Sequence, residues 1–156
     1  MYNGLLHLHS VLRWIILLLL LVAFYKNFAE RKGAFTATHQ KLSFILMICA
    51  DLMLLVGIYQ WAFGKTWGLA SIKARDFGEV MKDPVSRFYA IEHTTGMLIA
   101  IILIHLGYSF GKKSVSDAQK HKRILLYFSL ALLIILISIP WPFRAVGAGR
   151  HWFPGM

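Results

Sequence analysis

The chain has 156 residues, 58% of them hydrophobic and 15% charged, with a formal charge of +10 and a mean hydropathy of +0.60. Soluble domains carry about a quarter of their residues charged, so the balance excludes an ordinary water-soluble domain. Cys49 is the only cysteine, which excludes a disulfide scaffold, and the apolar content excludes disorder. What remains is a small integral membrane protein, read as a single domain over residues 1–156.

Four apolar stretches are long enough to cross a bilayer core, which takes about 20 helical residues. They run from about 5 to 25, 42 to 63, 88 to 110 and 124 to 143. Lipid offers backbone groups no water partner, so each is expected to be helical. The first contains the unbroken run Trp14 to Phe24. That run is long for a signal core and no small-residue cleavage site follows it, so it is read as a retained helix. The predicted fold is all-α: an antiparallel four-helix bundle.

The first connection, residues 26–41, carries Lys26, Arg31, Lys32 and Lys41, and the third, residues 111–123, carries Lys112, Lys113, Lys120, Lys122 and Arg123. Their acids are Glu30 and Asp117 alone. The second connection and the tail hold seven bases against Asp76, Glu79 and Asp83. This bias predicts both termini on the periplasmic side of a bacterial inner membrane and the two basic loops in the cytoplasm. The charge of +10 is thereby assigned to topology and contact with anionic lipid heads, with no need for nucleic acid.

Between the second and third spans, Trp67, Ala70, Ala74, Phe77 and Met81 recur at intervals of three and four. They predict a short amphipathic helix on the membrane surface, stopped before Pro84. It is either a lid on the end of the bundle or the roof of a cofactor or quinone site. After Pro140, Trp141, Phe143, Trp152 and Phe153 alternate with Arg144, Arg150 and His151, as in an aromatic interface belt.

Titratable groups at membrane depth are expensive and mark the place to look for function. They are His7, His9 and Arg13 in the first span, Asp51 in the second, and Glu92, His93 and His105 in the third. With a rise of about 1.5 Å per residue, His9 and His93 share a depth of about 6–8 Å below the outer boundary. Two neutral imidazoles at one depth on different helices can supply both axial ligands of a b-type haem. Gly96, one turn beyond His93, removes a side chain where a porphyrin face could approach, though close helix packing is the commoner use of such a gap.

His7 competes with His9, because the two imidazoles of His-Leu-His point about 200° apart. Arg13, one turn beyond His9 on the same face, favours His9. Arg13 is expected to meet Asp51, a haem propionate or Glu92. His105 lies about 18 Å along the axis from His93, so the two cannot share a haem. A second haem on His105 would need His39 or His121, both placed about 7 Å nearer the cytoplasm. A zinc or copper centre on His7, His9 and His93 lacks thiolate and a certain third ligand. No hydrolase or phosphate-loop motif is present.

The opening Gly4-Leu5-Leu6-His7-Leu8-His9-Ser10 with Leu12-Arg13-Trp14, the segment Asp83-Pro84-Val85-Ser86-Arg87-Phe88-Tyr89 leading to Glu92-His93, and the late Trp141-Pro142-Phe143-Arg144 resemble a small bacterial four-helix membrane family carried under the name cytochrome b. The likeness spans most of the chain. It implies a haem-binding electron-transfer role in a respiratory membrane, with His9 and His93 at the matching positions. The sequence lacks the two-histidine spacing on each of two helices that larger respiratory cytochromes b carry.

The leading expectation is therefore a b-type cytochrome or haem-binding anchor subunit of a respiratory complex, linked to quinone. The alternatives are a non-catalytic accessory subunit, or a proton or small-solute conductor using Asp51, Glu92, His93 and His105. Expected partners are the bilayer, other membrane subunits or further copies of the chain.

Overall fold

The computed structural model describes residues 2–144 and 148–152; Phe153 of the aromatic tail lies outside them. Four long apolar helices cross the length of the molecule: α1 (Tyr2–Ala29), α2 (Ala37–Phe63), α6 (His93–Gly111) and α7 (Asp117–Ser138). Between α2 and α6 lie three short helices, α3 (Leu69–Ala74), α4 (Phe77–Lys82) and α5 (Pro84–Arg87), then a π-helical turn over Phe88–Glu92. The membrane-spanning stretches are Gly4–Ala29, Ala37–Phe63, Pro84–Gly111 and Asp117–Ser138. At about 1.5 Å per residue each exceeds the roughly 30 Å of a hydrocarbon core.

The helices outrun the apolar stretches because hydropathy marks only the lipid-facing length, whereas caps set the ends. Thr36 opens α2, its backbone N–H donating to Nδ1 of His39 at 3.1 Å. Ser116 opens α7, accepting from the Gln119 N–H at 3.4 Å. Ile139 leaves helical geometry at the residue before Pro140, where proline disfavours the α region. The third span gains its first turn from Pro84, which sits at the head of α5 with Asp83 accepting from the Val85 N–H at 3.1 Å. Pro84 thus ends one helix and starts the next.

The amphipathic stretch is two helices instead of the one expected. Arg75 is extended (φ −138°, ψ 161°), and Asp76 caps α4 by accepting from the Gly78 N–H at 3.0 Å. The local competition of an Asp carboxylate for backbone donors breaks the run that the apolar spacing suggested. Arg75 turns back to Asp83 at 3.1 Å and to the Ser86 hydroxyl.

That hydroxyl donates to Asp83 at 2.6 Å, and this bond, followed by Arg75, holds the Asp83 carboxyl below its usual range. A depressed folded-state pKa means the clamp is fully formed above the ordinary carboxylate range and is lost as pH falls through the folded value. Limited proteolysis across residues 64–87 is therefore expected to accelerate in acid. Asp83→Asn should be cleaved faster at neutral pH and lose the acid response.

Each long helix packs on two neighbours in the order α1, α2, α6, α7 and back to α1, so α1 and α6 sit across the bundle from one another. Leu20, Leu46, Ala50, Ala100, Ile104, Ile124, Phe128 and Ala131 form one buried cluster within it. Lipid is as apolar as leucine, so close packing holds these helices together, and small residues permit it. Gly107 faces a rigid ring: a Cβ there would lie 2.5 Å from Cε1 of Phe128. Gly107→Ala is expected to cost about 1–3 kcal/mol by overpacking, measured as reduced thermal stability in detergent. Gly96→Ala should cost less, because it meets the rotatable Ser138 hydroxyl instead of a ring.

Candidate functional site

The first turns of α1 meet the tail at Trp152 at one end of the bundle, and there α1 and α6 bring His9 and His93 together across its axis. Their ring centroids are 6.3 Å apart with planes at 55°. The π-helical turn ends where His93 begins. Such turns recur at functional positions. Nδ1 of His93 lies 2.7 Å from the Ser138 carbonyl. A carbonyl only accepts, so Nδ1 carries the proton and Nε2 holds the lone pair. Phe88 lies against the same ring at 5.8 Å.

Nδ1 of His9 is buried and makes no hydrogen bond. Gly57 on α2 leaves space for this ring: an ideal Cβ there would stand 3.5 Å from its Cε1. His7 is exposed on another face of α1, which settles the choice between the two histidines. Gly96 is not an opening for a flat ligand. Ser138 of α7 fills the space its side chain would take, so this glycine serves helix packing.

Arg13 meets neither Asp51 nor Glu92. Its guanidinium donates to the Trp152 carbonyl at 2.6 Å and to the Ser10 hydroxyl at 3.2 Å. Ser10 and Trp14 donate to the same carbonyl, each at 3.4 Å. The tail is thus latched over α1 beside His9. Tyr89 reinforces it by donating to the Ala148 carbonyl at 2.5 Å and accepting from Arg150 at 2.9 Å. Glu92 pairs with Arg87 at 2.7 Å, one turn back. The contacts of Ser10, Arg13 and Trp14 with Trp152 join residues 138 to 142 positions apart in the chain, and no local pattern announces them.

Asp51 bonds His105 instead, Oδ1 to Nε2 at 2.7 Å, bridging α2 and α6. His39 and His121 meet each other at the opposite end of the bundle, both fully buried, with centroids 4.8 Å apart and planes at 80°. Nδ1 of His121 faces Oδ1 of Asn27 at 3.0 Å, while the Asn27 amide donates to the Ala23 carbonyl. Nδ1 of His121 is thus the donor and its buried Nε2 has no partner. Nε2 of His39 lies 3.2 Å from Glu30, whose carboxyl is held below its usual range chiefly by the Lys26 hydrogen bond. This cluster escaped the sequence reading. Its signal was Asn27, between Lys26 and Phe28 in the last turn of the first helix.

Among the described residues no group of three His, Cys, Asp or Glu side chains is arranged to hold a metal ion, which leaves the three-histidine zinc or copper centre without a frame. Among the described residues no hydrogen bond joins His93, on the Ser138 carbonyl, to His105, on Asp51.

Fold and composition together define a multi-pass α-helical membrane protein. Comparisons with protein-family models, curated proteins and solved structures gave no match.

Proposed function

We propose that the protein is a membrane electron carrier in which His9 and His93 would hold one b-type haem between them. The observation that carries this reading is the convergence of two imidazoles from helices that face each other across the bundle axis, at 6.3 Å between centroids. The donors also fit. His93 is fixed by a carbonyl on Nδ1, the outer partner that ligating histidines usually have, and His9 retains a buried ring nitrogen without a partner.

A haem bound there supplies reversible one-electron chemistry. The chain's own part is to fix the two rings, to keep water away with the tail and the α3–α4 lid, and to offer Arg13 as the cation for a propionate. The reading places the protein in a bacterial respiratory membrane with the haem near the periplasmic face and quinone as a natural donor or acceptor. A second reading, a non-catalytic subunit of a larger complex, draws on Asp51 and His105, whose partly exposed pair suits a protein neighbour.

Protein purified in mild detergent is expected to be red, with a b-type reduced-minus-oxidised spectrum. A preparation that stays colourless after haem supplementation during expression sinks the cytochrome reading and leaves the subunit reading.

A further inference from the structure

The Asp51–His105 pair stands in the wrong place for a structural clamp. Asp51 is near the middle of the 27-residue α2, and His105 is well inside α6. Both side chains nevertheless remain 38% and 43% exposed. Around them Leu52 and Leu55 of α2 and Ile102 and Leu106 of α6 are also exposed, so the pair opens onto the face that would meet hydrocarbon. Polar side chains at that depth normally turn to the bundle interior or a partner.

Their hydrogen-bonding capacity is unspent. Beyond the single 2.7 Å bond, Oδ2 of Asp51 and Nδ1 of His105 make no hydrogen bond among the described residues. A net charge on a lipid face is disfavoured, and a proton on Nδ1 leaves it free to donate while Oδ2 accepts. The pair then presents one donor and one acceptor, side by side at one depth.

A surface with one donor and one acceptor is complementary to itself under a twofold rotation. We infer that this face binds a second copy of the chain about a twofold axis along the membrane normal, with Nδ1 of each His105 donating to Oδ2 of the other copy's Asp51. The rotation preserves depth, so both bonds form together, and the four side chains close a ring. An isologous contact of this kind is the commonest way for a single chain to assemble, and side-chain hydrogen bonds of this sort join helices in lipid. Leu55 and Ile102 flank the ring and become packing residues. The inference does not depend on the haem.

The test is cross-linking in the native membrane, on a Cys49→Ser background. Ile102→Cys or Leu55→Cys is expected to give a disulfide-linked dimer on mild oxidation. Leu18→Cys, on the exposed face of α1, is expected to give none. Adding Asp51→Leu and His105→Leu together should weaken association at least about tenfold, from the loss of two interhelical bonds. Folding of that variant is checked by its helical circular dichroism. Should it not fold, the contrast between Ile102→Cys and Leu18→Cys in the otherwise unaltered chain still decides the matter. No linkage at Ile102 or Leu55 overturns the inference, as does a dimer that a folded double-leucine variant forms equally well. A linkage that appears only to a different protein also overturns it.

Discussion

If His9 and His93 hold a haem as proposed, His93→Ala is expected to give a folded, helical protein without it. Removing an outer partner of a ligating histidine lowers affinity about 10–100-fold, and removing the ligand itself should exceed that. The space left by the ring lies between His9, Phe88 and the Ser138 carbonyl, so added imidazole should enter it and restore part of the spectrum. That rescue separates a lost ligand from a lost fold. His9→Ala should behave alike, whereas His7→Ala, on the exposed face of α1, should keep the spectrum. Equal loss in all three variants, with no rescue, would mean that the imidazoles matter only for folding.

The second large effect belongs to Gly68→Ala. Gly68 is the only residue with positive φ among those described, at +70° with ψ −133°, a region that side chains other than hydrogen strongly avoid. Holding alanine there is worth about 1–3 kcal/mol of strain. The added Cβ would also stand 2.5 Å from the Trp61 carbonyl oxygen and 3.0 Å from its Cα. Backbone cannot swing aside as a side chain can. The expected outcome is release of the α3–α4 lid, seen as rapid proteolysis near residues 65–83 and a lower unfolding temperature in detergent. Trp61 should lose its 2.9 Å bond to the Ala90 carbonyl, which its fluorescence reports. Gly78→Ala is the control: its Cβ would meet only the Asp76 carboxylate, at 3.0 Å.

Much of the architecture was legible because each decisive force was local. Twenty apolar residues in lipid have one way to satisfy their backbone, so the four spans follow from hydropathy. Matched depth of His9 and His93 follows from counting residues along two parallel helices, and the rings do meet. Arg13 was expected to meet Asp51, Glu92 or a haem propionate, yet it donates to the Trp152 carbonyl, and Asp51 bonds His105. Counting places a side chain along an axis, but the neighbour it reaches depends on how helices rotate about their own axes. That rotation is fixed by packing at positions such as Gly107 against Phe128. The latch of Trp152 on Ser10, Arg13 and Trp14 was out of reach for a related reason, since a carbonyl has no sequence signature.

The sequence by itself determined that this is a four-span membrane protein whose few polar groups carry its meaning, because burying so much apolar surface in so short a chain leaves no other class. Only the tertiary structure decided which of those groups meet. It separated them into the His9–His93 pair inside the bundle, the His39–His121 pair at its far end and the Asp51–His105 pair on its flank. The physical reason is that helix packing in lipid rests on shape at many small contacts, and those contacts set the angle at which every polar side chain leaves its helix.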